Sequence, residues 1–190
     1  MISEVRKKEI EAMVSKINAF SEKYQLIHAT VAIEKLYKEQ VQQEYQEQFA
    51  ALRAEIKETN DSESQIALAQ RAKELKKESN KRLKISIEYN DKMQADSSRT
   101  TKTLNDTFLI SLPKCMANIR DDEGNIDFEQ LSKLRKLMAH ELGHIVLHSG
   151  FFNKDCTMSE CDSENEADYF AEKLLILREK HSGELAAALN

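Results

Sequence analysis

The pentapeptide His140-Glu141-Leu142-Gly143-His144 sets two histidines four residues apart with a glutamate directly after the first. On a helix, positions i and i+4 share one face, a turn apart. Both imidazoles can then reach one small cation, and histidine nitrogen suits Zn²⁺ at roughly 2.0–2.1 Å. Glu141 would stand beside the remaining coordination position, where a carboxylate can take a proton from water, the arrangement of metal-assisted hydrolysis. Three fixed residue types in five also occur by chance on solvated helices, so the surroundings must decide. Here Leu137-Met138-Ala139 precedes the motif and Ile145-Val146-Leu147 follows it. A helix so apolar is expected to be buried, and buried histidines and a buried glutamate need partners, since each unpaired polar group costs kcal/mol.

A catalytic zinc takes three protein ligands and keeps one position open. Acidic residues return downstream in Glu164-Asn165-Glu166-Ala167-Asp168-Tyr169-Phe170-Ala171. Glu164 lies 20 residues after His144, room for a helix end, a loop and a returning antiparallel helix. Asp168 is one turn beyond Glu164 on the same face and can accept a hydrogen bond from the ring N–H of a liganding histidine. Glu166 is the alternative third ligand, but it is only two residues from Asp168 and so points to another face. His148 continues the histidine face two turns from His140, about 12 Å along the axis. It is expected to line the cleft or to hydrogen-bond at the helix end, with a direct catalytic role as the lesser reading. Tyr169 and His181 could polarise a substrate carbonyl; a packed aromatic and an exposed histidine are the plainer readings. Gly143, a poor helix former, would let another backbone approach the helix. Cys156 and Cys161 are expected to be free loop thiols, and Cys115 a small residue after a strand.

The run His140-Glu141-Leu142-Gly143-His144-Ile145-Val146-Leu147-His148, followed by Glu164-x-x-Ala167-Asp168-x-Phe170-Ala171-x-x-Leu174-Leu175, resembles the ImmA/IrrE family of zinc metallopeptidases. The likeness covers residues 139–175 well and the preceding strands only loosely. It implies a gluzincin-like peptidase with His140, His144 and Glu164 as zinc ligands and Glu141 as general base. Relatives in bacteria and their mobile elements cut or remove DNA-binding repressors, so the implied partner is a helix-turn-helix repressor. Two features depart from the pattern. Ile176-Leu177-Arg178 stands where the family often has a proline after the Leu-Leu pair, and no helix-turn-helix is evident in the chain.

The elements that must position these residues follow from periodicity and breakers. The four glycines are Gly124, Gly143, Gly150 and Gly183, and the one proline is Pro113, so the first 112 residues hold neither breaker and long helices are the default. Val5, Ile10, Met13, Val14, Ile17, Phe20 and Tyr24 recur at threes and fours, predicting a helix that ends near Tyr24. A second stripe, Ile33 to Ile56, predicts a helix from near Thr30. A third is expected over residues 62–79, capped by Asp61 or Ser62. Leu83–Tyr89 alternates as a half-buried strand does. Asn90–Asp106 is expected to be a loop, and Thr107–Leu112 a second strand ended by Pro113. Asp127 is a good N-cap for the motif helix, which should run to His148 and stop at Gly150. Asn153–Asp162 reads as a loop before a last helix over residues 163–180.

These elements predict a mostly helical α+β fold. A helical region, residues 1–80, precedes a metallopeptidase domain, residues 81–190, with a small sheet and two antiparallel site helices. The chain has 190 residues, a net charge of −5 and a pI near 5.6, which argues against direct nucleic-acid binding. The basic cluster Arg71 to Lys84 is interrupted by Glu74 and Glu78 and reads as a solvated helix face. No apolar run approaches the ~20 residues that span a bilayer. The start turns charged at once and lacks an apolar h-region, so no secretory signal is expected, and three cysteines fit reduced thiols in the cytoplasm. Two functions are set against each other. One is a zinc-dependent peptidase acting on a protein substrate. The other is a non-catalytic interaction or regulatory protein with a structural or vestigial zinc site, whose N-terminal helices bind a partner or self-associate. Glu141 favours the first, because a purely structural zinc has no use for a carboxylate beside an open position.

Overall fold

A computed structural model describes residues 2–19, 26–59, 61–80, 83–103, 107–121, 123–150 and 160–188, with side chains omitted at 26–28, 160, 161 and 177–188. Five helices and a small three-stranded sheet make up the described chain, an α+β fold dominated by helix. Helix α1 spans Glu4–Ala19 and buries Ile10, Val14 and Ile17, spaced four and three apart, on one face. Helix α2, Leu26–Glu58, starts four residues before the expected Thr30. Phe20 and Tyr24, expected in the first helix, lie outside the described residues. Helix α3, Ser62–Glu78, is capped by Asp61, whose carboxylate accepts from the Ser64 N–H.

Strands β1 (Lys84–Asn90), β2 (Arg99–Lys102) and β3 (Thr107–Pro113) form a sheet in the order β1-β3-β2. β1 lies parallel to β3, with Ile85 opposite Phe108 and Ile87 opposite Ile110. β2 pairs antiparallel with β3, Arg99 opposite Ser111. This strand falls inside the expected loop at residues 90–106 and is a correction to it. Arg-Thr-Thr-Lys has no apolar alternation to betray a strand. It is one because β3, buried along most of its length, would otherwise leave a row of backbone N–H and C=O groups without partners. The outer edge of β1 is treated differently: Glu34 of α2 reaches across and accepts from the Ile85 N–H at 2.7 Å.

A 3₁₀ turn at Lys114–Ala117, holding the exposed Cys115, leads toward helix α4, Phe128–His148. Asp127 caps α4 by accepting from the N–H groups of Glu129 and Gln130. Gly150 ends it with a φ of 75°, the left-handed region open to glycine. Helix α5, Glu160–Ala188, begins earlier and runs longer than expected. His140 meets Glu164 and Asp168, Gly143 meets Ala167 and Phe170, and His148 meets Glu166, so α5 packs closely against α4.

One core joins Ile10, Val14, Ile17, Ile33 and Val41 to Phe108, Ile110, Leu112, Leu142, Ile145, Phe170 and Leu174. The boundary expected near residue 80 therefore does not divide the hydrophobic interior. α1 and the first half of α2 pack with the site helices, whereas α3 buries no side chain and pairs with the far half of α2.

Candidate metal centre

Asp127 starts α4 in a register that turns Met138, Ala139, Leu142, Ile145 and Val146 into the core. The same register sends His140 and His144 to the rim of a cleft of about 900 Å³. β2 and the chain before it form one wall, with Ser98, Arg99 and Thr100; α5 forms the other, with Ser163, Glu164 and Asp168. α5 comes close because Gly143 has no side chain. A Cβ there would stand 3.0 Å from the Ala167 Cα, 3.1 Å from its carbonyl oxygen and 3.2 Å from the Phe170 ring.

This approach brings three donors to one point. The Nε2 atoms of His140 and His144 are 3.0 Å apart. Glu164 places one carboxylate oxygen 3.1 Å from the His140 Nε2 and the other 3.3 Å from the His144 Nε2. Among the described residues these three form the group able to hold a metal ion.

The proton positions make the case chemically. Asp168 Oδ1 lies 2.8 Å from His140 Nδ1, and an ionised carboxylate only accepts, so the ring proton sits on Nδ1. In the neutral ring the Nε2 lone pair then faces the Glu164 carboxylate, an arrangement of two acceptors that a shared cation would satisfy. Ligands at about 2.0–2.1 Å on a tetrahedral zinc lie roughly 3.3 Å from one another, close to the three separations found here. The residues present therefore fit zinc. Burial, then the neighbouring His140, holds the His144 imidazole below its ordinary range, favouring the neutral ligand form.

Glu141 sits among the buried residues of α4, is 4% exposed, and accepts a 2.6 Å hydrogen bond from the Ser98 hydroxyl. It lines the cleft beside both histidines without belonging to the donor group. His148 also lines the cleft. Its Nδ1 is 3.2 Å from His144 Nδ1 and its Nε2 3.2 Å from Glu166 Oε2. Burial is the main cause holding its imidazole low.

The two candidate glutamates part company here. Glu164 meets the histidines; Glu166 is buried and grips the Arg6 guanidinium of α1 through two bonds of 2.9 and 2.8 Å. Burial alone would raise the Glu166 carboxyl, but Arg6 and His148 outweigh it and hold it below the usual carboxylate range. Tyr169 does not face the cleft: its hydroxyl donates to Glu11 of α1 at 2.6 Å, and the Lys173 ammonium sits 4.9 Å from its ring. A carbonyl-polarising role for Tyr169 is thereby corrected to an α1–α5 link. Cys156 lies outside the described residues, as do the side chains of Cys161 and His181.

Sequence reasoning missed Arg6 and Ser98. No family model, no curated protein and no solved structure matches the chain. Arg6 is 160 residues from its partner and carries no local signal. Ser98 lies in the polar stretch read as a loop and likewise carries no local signal.

Proposed function

We propose that the chain is a zinc-dependent metalloendopeptidase of the ImmA/IrrE type, acting in the cytoplasm on a protein substrate such as a helix-turn-helix repressor. The observation that carries this reading is the pairing of a three-donor cluster with a buried carboxylate, Glu141, beside it but outside it. His140, His144 and Glu164 would hold zinc, which when bound supplies a Lewis acid that polarises a peptide carbonyl and acidifies water. Glu141 then accepts the proton of the attacking water on a carboxylate oxygen and passes it to the departing amine. Ser98 keeps the Glu141 carboxylate turned toward the cleft, and Asp168 keeps the His140 proton on Nδ1, leaving Nε2 to bind.

The cleft also suits an extended peptide. β2 is the outermost strand on its side of the sheet and lines the cleft, so a substrate can lie along it as an added strand, held by backbone hydrogen bonds. Among the described residues no helix is long and apolar enough to cross a membrane.

The test is Glu141→Gln, which keeps the size of the side chain and removes its ability to take a proton. The variant should fold, bind about one zinc as the wild type does, and lose cleavage of a helix-turn-helix repressor that the wild type cuts. General-base loss costs about 10²–10⁴ in rate, visible on a gel. If Glu141→Gln relieves repression as well as the wild type, the chain acts by binding and the peptidase reading fails.

A further inference from the structure

Four side chains run from the cluster to the N-terminal helix: His144, His148, Glu166 and Arg6. Proton bookkeeping fixes their order. With His144 Nε2 turned to the cluster as a lone pair, its proton sits on Nδ1, which donates to His148 Nδ1 at 3.2 Å. His148 must then carry its own proton on Nε2, where it donates to Glu166 Oε2 at 3.2 Å. Glu166 cannot donate, and its two oxygens are clamped from the far side by the Arg6 Nε and a terminal guanidinium nitrogen at 2.9 and 2.8 Å. Arg6 is itself set by Glu9, 3.0 Å away on the same helix. Every group in the chain has one role, and the polarity runs without a break from the metal ligand to α1.

Resting on the zinc reading above, we propose that Arg6 and Glu166 are positioning residues for the metal centre, fixing the ring of His144 and its tautomer through His148. The histidine pair is served asymmetrically. His140 is steadied directly by Asp168 on α5, which is largely exposed. His144 is steadied through an imidazole by a carboxylate that is 3% exposed and anchored on another helix. Hydrogen-bonded carboxylates behind metal-bound histidines orient the ring and raise its basicity, and their loss typically weakens binding about 10–100-fold. A bidentate guanidinium–carboxylate pair supplies the fixed geometry that a lone lysine ammonium would not. α1 therefore belongs to the site, although no residue of it touches the cluster.

The test measures the Zn²⁺ dissociation constant of the full-length protein by chelator competition, and the visible absorption of the Co²⁺-loaded protein, for Arg6→Met, Arg6→Lys and Glu166→Gln. Glu11→Ala is the control, because it breaks the Tyr169 link between α1 and α5 without entering the relay. Arg6→Met and Glu166→Gln should each weaken zinc by about 10-fold or more and alter the Co²⁺ bands. Arg6→Lys should recover part of the loss, and Glu11→Ala should leave both readouts as in the wild type. Arg6→Met added to His148→Ala should bind no more weakly than His148→Ala alone, since residues in one network do not act additively. If Arg6→Met fails to fold by circular dichroism, Glu166→Gln and Arg6→Lys decide. The proposal is overturned if Glu166→Gln and the folded Arg6 variants hold zinc within twofold of wild type, or if Glu11→Ala weakens it equally, which would mark general helix packing. A wild type that takes up no zinc overturns the metallopeptidase reading itself, an outcome distinct from either.

Discussion

Gly143 shows how much of the site depends on one missing methyl. The HExxH pattern allows any residue there, yet an alanine Cβ would meet the Ala167 backbone at 3.0 Å. Gly143→Ala would favour the helix locally but force α5 outward, and overpacking of this kind costs about 1–3 kcal/mol. Because Glu164 rides on α5, the same substitution should weaken zinc binding, measured by chelator competition. A Gly143→Ala protein with wild-type melting temperature and zinc affinity would show that the helices adjust freely. At this scale much was legible. His140, His144, Glu164 and Asp168 lie where helical spacing put them, because each rides on a regular helix and meets its partners across a single helix pair; Glu141 shares the helix but finds its partner, Ser98, before β2. Glu166 was legible as the acid facing away from the cluster, but its destination was not. Arg6 and Ser98 were invisible because spacing along a chain carries no information about which distant segment packs alongside. Tyr169 was read as a packed aromatic, with the cleft as the lesser possibility, and its partners, Glu11 and Lys173, could not be named from the sequence.

At the scale of elements, the helices with a buried stripe were foreseeable and the polar strand was not. Apolar residues three and four apart require a helix to bury them, so α1 and α4 follow from the spacing of their apolar residues. β2 follows instead from the needs of β3, and no residue of Arg99–Lys102 announces it. α3 shows the converse, a helix written by propensity and its Asp61 cap with nothing buried beneath it. Its attachment to α2 includes a bond of 3.0 Å from the Tyr45 hydroxyl to Glu78. Burial, then the Glu78 carboxylate, pushes the Tyr45 phenol from an ordinary value of 10.0 up to about 12. Since the folded value lies above the unfolded one, the stabilisation is complete below the unfolded value and drains away as pH rises from about 10 through about 12. Ultraviolet difference titration should show a late-titrating component that Tyr45→Phe diminishes, and the variant should lose less helix than the wild type over that range. A wild type with all tyrosines titrating near pH 10 would contradict the contact.

For the whole molecule, the shared core makes α1 part of the cooperative unit. Ile10, fully buried against that core, should cost about 2–5 kcal/mol on truncation to alanine. If α1 belongs to the unit, Ile10→Ala should lower a single melting transition followed at both backbone and zinc; a separate early transition confined to helix signal would mean that α1 unfolds alone. The sequence pattern suggested a division near residue 80 because the breaker-free stretch and the strand alternation meet there, but a change of element type is no boundary when both sides bury their apolar faces in one interior. The Glu34 carboxylate on the Ile85 N–H has a consequence for how copies of the chain meet. It acts as a stopper on one margin of the sheet, while the other margin borders the cleft. A fibril needs two open margins per copy, one to receive and one to offer, and Glu34 occupies a donor on one of them. Removing the stopper with Glu34→Ala should free that donor and permit open-ended growth, seen as rising light scattering on storage at concentrations where the wild type stays clear.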